Sequence, residues 1–304
     1  MSSVTISPLY TNNQNSYFFH GLARANHGHL EEDFLFSTQD PFPLFSSIVE
    51  FIHTSSIDLL FFVLHSALLI TYFLSLSNIS KLAMGRQGNI VPYLLISFLL
   101  ILVHSAASGF VSKVLFGMDL SRILYDGVAG QTLVNAELQP STFGVLCITA
   151  IFFYTRRMKY ISVFLIAISS YIHASYVLIG FIIIFAFILH TYVRRRSTRD
   201  ALQMGLIAGL LIGLPAFWHY WRFKPDDLAT LKSATELLVL HRMPHHALVS
   251  SWFGISTLVK IGICVIAILM TRKNTLGFLL SFLLFVGLVL SCIQYITDDY
   301  QFAL

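Results

Sequence analysis

The sequence predicts an all-α integral membrane protein that crosses the bilayer about eight times, as a single membrane domain over residues 1–304. Three observations carry the prediction. The 304 residues are 56% hydrophobic and only 11% charged, where a soluble domain carries about 25% charged residues. Mean hydropathy is +0.74. Apolar runs recur along the chain, with basic residues gathered in alternate loops between them. With so few charges the chain cannot cover itself with polar surface in water, and lipid becomes its natural solvent. The 27 Phe and 13 Tyr against three Trp fit helices packed in hydrocarbon with aromatics at the interfaces. Cys147, Cys264 and Cys292 fall inside apolar runs and read as small packing residues.

An untilted span needs about 20 residues. Apolar runs at 57–76, 90–107, 141–154, 201–219, 255–271 and 276–293 are read as one crossing each. The stretch 160–193 is too long for a single span, and Ser169, Ser170, His173 and Ser175 interrupt its middle. Arg156, Arg157 and Lys159 precede it, and Arg194, Arg195, Arg196 and Arg199 follow it. If basic loops stay in the cytoplasm, this stretch must go out and return as a hairpin of two short helices.

The remaining charges sort on the same scheme. Loops at 77–89, 155–160, 194–200 and 272–275 hold eleven of the 19 basic residues, including Lys81, Arg86, Arg272 and Lys273, against a single acid, Asp200. The other acids fall on or near the opposite side. Both ends of the chain are therefore expected outside, and the expected location is a bacterial inner (plasma) membrane. Residues 1–15 are polar and lie on that exterior side with no export signal or span before them. An upstream segment is one expectation and an unaided exterior N-terminus the other; the C-terminus, soon after Asp298 and Asp299, is open in the same way.

Three segments remain outside, 1–56, 108–140 and 220–253, and loops of such length usually carry function. Asp226 and Asp227 are placed to cap a helix from 228 towards 241 whose Leu228, Leu231 and Leu238 would lie along the membrane surface. A shorter apolar piece, 44–52, is entered through Pro41 and Pro43. Ten of the 12 histidines fall at or near this exterior face, with His65 and His190 elsewhere. The second segment adds Asp119, Arg122, Asp126, Gln131, Asn135, Glu137 and Gln139.

His241-Arg242-Met243-Pro244-His245-His246 is the densest polar cluster. Arg with His can hold a phosphate through a bidentate guanidinium and imidazole hydrogen bonds. Adjacent His245 and His246 point about 100° apart on a helix, which suits one metal poorly, and no HExxH-type zinc motif occurs. Glu31-Glu32-Asp33 follows His27 and His29; neighbouring acids repel and raise one another's pKa, which suits a general base. Asp33 is the choice among them, since Phe34, Leu35 and Phe36 would draw it towards the membrane. Loops are also polar simply because they are wet, and a solvated acidic turn is the competing reading. Lys260 lies within the span at 255–271, where a cation either faces a cavity or polar partner or snorkels to the exterior side.

The first exterior segment also carries a family resemblance. Asn15-Ser16-Tyr17-Phe18-Phe19, then an acidic patch, then Asp40-Pro41-Phe42-Pro43-Leu44 leading into a surface helix, resembles the GT-C superfamily of multi-spanning glycosyltransferases. The paired short helices at 160–193, with the His173-Ala174-Ser175-Tyr176 turn, the Gln139-Pro140-Ser141-Thr142-Phe143-Gly144 entry and the later basic loop extend the likeness. The resemblance implies transfer of a sugar from a polyprenyl-phosphate carrier at the exterior face. In that superfamily a catalytic acid follows the first span, often as Asp-Glu shortly before a Tyr. Here the place reads Asn13-Gln14-Asn15-Ser16-Tyr17, with amides instead of acids and no first span ahead of them. The resemblance then assigns the base to Asp33 or Asp40, substrate binding to Asn13, Gln14 and Asn15, and the phosphate to His241, Arg242, His245 and His246.

Two other readings stay open. A transporter or flippase-like carrier would need polar residues and broken helices near the bilayer midplane, where the sequence offers only His65, His190 and Lys260. A non-catalytic subunit would bind a partner through the exterior loops. The expected partners are the bilayer and a lipid-linked sugar, with no nucleic acid; the cofactor is unknown, and no metal ligands are assigned.

Overall fold

The computed structural model describes residues 6–84, 90–117, 126–225, 227–252 and 254–297. Arg86, Asp119, Arg122, Asp226, Asp298 and Asp299 lie outside the described residues. Within them the chain is all-α, without strands. The first segment holds a short turn of helix at Gln14–Tyr17, α1 (Phe19–Arg24) and α2 (Pro43–Thr54). Then follow α3 (Leu59–Ala83), α4 (Ile90–Val103), α5 (Ala106–Phe116), α6 (Val145–Thr155), α7 (Lys159–Ile172), α8 (Ser175–Val193) and α9 (Thr198–Arg222). A surface helix α10 (Leu228–Glu236) precedes the last pair, α11 (Ile255–Thr271) and α12 (Thr275–Thr297).

Four helices, α3, α8, α9 and α12, are long and apolar enough to cross a membrane, and α4 with α5 makes a fifth if the pair, bent by 67°, is one span. This is fewer than the eight crossings that the sequence predicts. The reason is length: α7 has 14 residues, α11 has 17, and α6 has 11 beyond its 3-10 entry. At 1.5 Å per residue each falls short of a hydrocarbon core about 30 Å thick. The 160–193 stretch does break where its serines and His173 predict, between α7 and α8.

The outward faces are apolar. On α9, Leu202, Leu206, Leu210, Leu214 and Phe217 recur at helical spacing and are each at least 60% exposed, while Ala201, Met204, Ala208, Ile212 and Pro215 face inward. In water a stripe of that size would drive association; against lipid tails it is at home. Small residues inward let neighbouring helices approach, and Met204, Ala208 and Ile212 join Ile166, Ile183, Phe187 and Leu279 in the main core.

At one end of the bundle the charges are basic. The Tyr154 hydroxyl, at the end of α6, lies 2.8 Å from both His190 Nδ1 and Thr191 Oγ1 and 2.9 Å from the Phe187 carbonyl. Its ring stacks on Phe187 at 4.0 Å, and Arg195 sits over its other side. Asp200 is answered by Lys159 at 2.6 Å, so it leaves the surrounding arginines uncompensated. We call the opposite end the loop end. There Phe18, Leu22, Phe45, Val49, Phe61, Leu138, Phe143 and Ile172 form a second core, which seats the first segment on the starts of α3 and α6 and the finish of α7.

Two sequence-level expectations are met locally. Asp227 caps α10, its carboxylate accepting from the Thr230 N–H at 2.7 Å and from the Thr230 hydroxyl at 2.8 Å. Pro43 opens α2, where a missing N–H costs nothing. Close approach decides one glycine: a Cβ on Gly21 would lie 2.5 Å from the Ser46 carbonyl oxygen, where α1 crosses α2. Gly209, inside α9, has nothing within 4 Å of such an atom. Gly21→Ala should therefore lower stability by about 1–3 kcal/mol through overpacking, whereas Gly209→Ala should be neutral or gain up to about 1 kcal/mol of helix propensity. Thermal unfolding of the purified protein, followed by loss of the monodisperse peak, would rank the two.

Candidate functional site

Three polar stretches converge at the loop end. The first is the N-terminal segment, which docks onto residues 136–139. Asn12 Nδ2 donates to Glu137 Oε1 at 2.6 Å, and the Asn13 backbone N–H donates to Oε2 at 3.2 Å. Asn13 Nδ2 reaches Gln139 Oε1 at 3.4 Å, and Gln14 Nε2 donates to the Leu138 carbonyl at 3.3 Å. Gln14 Oε1 accepts in turn from the Tyr10 N–H at 2.9 Å. Glu137, Gln139 and Gln14 are all buried. A buried carboxylate is tolerable only when donors surround it, and here two donors from Asn12–Asn13 supply that need. Asn13 and Gln14 thus hold the chain to itself, while Asn15 is exposed.

The second stretch is an aromatic recess over the α7–α8 turn. Tyr17 packs edge-on to Phe42 with centroids 5.3 Å apart, Phe42 lies 4.8 Å from His173, and His173 lies 5.4 Å from Tyr176. The Tyr176 hydroxyl donates to the Ser141 carbonyl and occupies the space where Gly144 would carry a Cβ. His173 Nδ1 accepts from the Ser175 N–H at 3.1 Å, which leaves the proton of the neutral ring on Nε2. Burial pushes the His173 pKa down to about 4, and the nearby His219 acts in the same direction, so the ring is neutral at ordinary pH.

Arg242 brings the third stretch to this recess. Burial raises the Tyr17 pKa, and the Arg242 charge opposes that rise, which puts the guanidinium within electrostatic reach of the phenol. Arg242 is itself exposed, and its guanidinium has no hydrogen bond or ion pair among the described residues. His241 and His245 are also exposed. His245 and His246 rings sit 4.1 Å apart, and His246 Nδ1 is spent on the Ala129 carbonyl at 2.8 Å. The segment is anchored to α12 by Gln294, which bonds the Val249 N–H and the Ala247 carbonyl, both at 2.8 Å. Lys260 Nζ donates to the Gly127 carbonyl at 2.8 Å, a polar partner within the protein.

The two candidate bases differ in their freedom. Asp40 is bound by Arg24 at 3.0 Å and caps the Phe42 N–H at 2.8 Å, with Glu50 on the far side of the same arginine at 3.2 Å. Asp33 is exposed and accepts one bond, from the Leu35 N–H at 2.8 Å. Sequence reasoning named Tyr17 and Glu137 without giving either a role, and it missed the pairing of Tyr72 with His104 and a histidine chain in the first segment. There His27 Nδ1 lies 3.0 Å from His53 Nε2, and the other His53 nitrogen meets the Tyr10 hydroxyl at 3.2 Å and Asp58 at 3.8 Å. The Glu137-Leu138-Gln139-Pro140 run was the available signal, a carboxylate directly before a proline-opened turn. Among the described residues no group of three or more His, Cys, Asp or Glu is placed to hold a metal ion.

Glu137→Gln replaces an acceptor by a donor opposite Asn12 and the Asn13 N–H, and should cost about 1–3 kcal/mol. It should also expose the first segment to limited proteolysis, whereas Glu31→Gln, at an exposed position, should change neither the melting temperature nor the cleavage pattern. No family model, no curated protein and no solved structure matches this chain.

Proposed function

We propose that the chain is a GT-C-like glycosyltransferase that takes a sugar from a polyprenyl-phosphate carrier at the exterior membrane face. The observation that carries this reading is the unpaired guanidinium of Arg242. Its charge acts on the Tyr17 phenol, at the end where the first and third segments converge. Arg242 closes the wider helical turn Leu237–Arg242 that continues α10, and Leu228, Leu237 and Leu240 are exposed along that stretch, so its charge sits next to apolar surface. That pairing of an apolar face with an unanswered cation is suited to a lipid phosphate at headgroup depth. In the reaction the acceptor oxygen attacks the anomeric carbon while the bond from that carbon to the phosphate oxygen breaks. Negative charge then grows on the departing phosphate, where Arg242 and the exposed His245 would stabilise it. Asp33, with one carboxylate oxygen open, takes the acceptor proton; Asp40, held by Arg24, is second choice.

The same proposal extends to topology. The short helices α6, α7 and α11 also cross, helped by local thinning and by flanking basic residues. This gives eight crossings in a bacterial plasma membrane, with the loop end outside. A carrier is the competing reading, and the 67° bend between α4 and α5 is the observation in its favour.

In a background lacking Cys147, Cys264 and Cys292, single cysteines at Asp126 or Lys232 should react with an impermeant maleimide on whole cells. Cysteines at Arg157, Arg195 or Lys273 should not. Labelling of position 195 from outside would overturn the hairpin orientation.

Catalysis separates from carriage by kinetics. Arg242→Ala should weaken binding of a polyprenyl-phosphate analogue by about 1.5–3 kcal/mol, with only partial recovery in Arg242→Lys, which lacks the bidentate fork. Asp33→Asn should lower turnover by roughly 10²–10⁴-fold with donor affinity little changed. Wild-type protein that moves the lipid across vesicles without cleaving it would give the carrier reading precedence.

A further inference from the structure

The basic end of the bundle takes no part in the reaction proposed above. Residues 155–200 hold seven Lys and Arg residues and a single acid, Asp200. That acid is taken by Lys159, whose Nζ also reaches Gln203 Oε1 at 3.3 Å. Arg156, Arg157, Arg194 and Arg196 are exposed, and among the described residues their guanidinium groups make no hydrogen bond or ion pair. The turns between α6 and α7 and between α8 and α9 therefore carry positive charge that nothing in the protein answers.

Two of these arginines stand where a chain normally places glycine. Arg157 has φ +65° and Arg196 φ +56°, both in the left-handed region. At the end of α6 the Arg157 N–H bonds the Tyr154 carbonyl and the Met158 N–H bonds the Phe153 carbonyl, both at 3.0 Å. That double closure needs a left-handed residue at position 157, and glycine fits it best. At the end of α8 the Ser197 N–H closes on the Thr191 carbonyl at 3.3 Å, with Arg196 as the left-handed residue. The helix dipole favours cations at C-termini, which accounts for Arg156 and Arg194 at the two C-caps. It gives no reason to put a long side chain at the one position in each turn that suits glycine. Strain kept in two neighbouring turns points to a use for the side chains that cause it. The turns also form one surface. The Tyr154 carbonyl accepts from Arg195 Nη2 at 3.3 Å, and the Lys159–Asp200 pair crosses from the start of α7 to the first turn of α9 at 2.6 Å.

We propose that these two turns bind the phosphate headgroup of an anionic phospholipid, with Arg157 and Arg196 as its principal cations. Positive charge without a counter-charge in the protein calls for an anion, and guanidinium groups hold phosphate oxygens in pairs. The neighbours of the arginines favour a lipid over a soluble anion. Met158, Tyr160, Tyr192 and Val193 are all exposed in the same two turns and the helix ends beside them. Tyrosine next to arginine is the composition of a helix end at headgroup depth, and basic clusters there attract anionic lipid. The acyl chains below a bound phosphate would cover the exposed methionine and valine, from which a nucleic acid gains nothing.

The inference rests on the bundle lying in a membrane, and neither on sugar transfer nor on which leaflet this end meets. The experiment uses the full chain, purified in a neutral detergent and titrated with phosphatidylglycerol, with bound lipid read by native mass spectrometry. Phosphatidylglycerol should bind saturably, and zwitterionic phosphatidylcholine much more weakly. Arg157→Gly and Arg196→Gly should each lower the affinity roughly fivefold, and the double change about thirtyfold, from the ~1 kcal/mol that each basic side chain contributes at an anionic surface. Melting temperatures of both variants in the lipid-free detergent should hold or rise, since glycine relieves the left-handed turns. Arginines that served only the fold would give the reverse pattern. Lys232→Gln, at the loop end, should leave lipid binding unchanged. Equal binding of the two lipids by the wild type, or undiminished phosphatidylglycerol binding in the double variant, overturns the proposal. So does displacement of the lipid by inorganic phosphate or by an RNA oligonucleotide, which would assign the arginines to a soluble anion or to nucleic acid. If a glycine variant fails to fold, Arg157→Asn or Arg196→Asn decides in its place, since asparagine also adopts the left-handed conformation.

Discussion

Lipid tails cannot accept a hydrogen bond, so every polar group in this bundle must find its partner within the protein or be carried to an end. The arrangement of the whole molecule depends on that constraint. At the basic end the Tyr154 hydroxyl is surrounded by Phe187, His190 and Thr191 of α8, while Arg195 covers its ring. At the loop end Glu137 is surrounded by Asn12 and Asn13. Between them the lipid-facing surface carries Leu and Phe, and the inner contacts use Ala, Ser and Gly. Gly180 is one such contact, where an added Cβ would lie 2.7 Å from Ile166. Because the two ends are so different in charge, the bundle has a polarity that the core alone would not give it.

That polarity ties the candidate site to the fold. The first segment has little core of its own. It gains order by laying Phe18 and Phe45 against Phe61 of α3 and by bonding its amides to 137–139. The same docking sets Tyr17 over the α7–α8 turn and within reach of Arg242. The candidate recess at residues 17, 42 and 173, with the Arg242 charge acting on Tyr17, therefore depends on three separate segments being seated. The cost of mobility in any one of them would fall on the others.

Much of the helical plan could be read from local sequence, because each cue acts within one or two turns. Asp227 caps α10, Pro43 opens α2, and Ser169, Ser170 and His173 mark where the hairpin breaks. The separation of Asp200 from the other acids could be read too, although its bond to Lys159 could not. What stayed hidden depends on distance along the chain. Asn12 meets Glu137 across 125 positions, and Tyr72 meets His104 across 32. No periodicity encodes such pairings, and it could not show that Asn13 and Gln14 bond residues 137–139 of the same chain. Helix length was a further blind spot: hydropathy marks an apolar run but does not say where its hydrogen-bond ladder stops, which is why α6 and α7 came out short.

The α7–α8 turn bears on how the protein is made. Ser170 Oγ bonds both the Ile166 carbonyl and the Tyr176 carbonyl, at 2.9 and 3.0 Å, so this serine is satisfied by residues of the hairpin alone. On the topology proposed above, such a unit can leave the translocation machinery as one piece, without waiting for α9 to be synthesised. Its two basic flanks would meanwhile be retained on the ribosome side. The buried Tyr154 contacts then join α6 to an already inserted hairpin, and α9 slides its small-residue face in afterwards. Assembly in this order follows chain order, and at no stage does it ask a nascent helix to hold an unsatisfied serine in lipid.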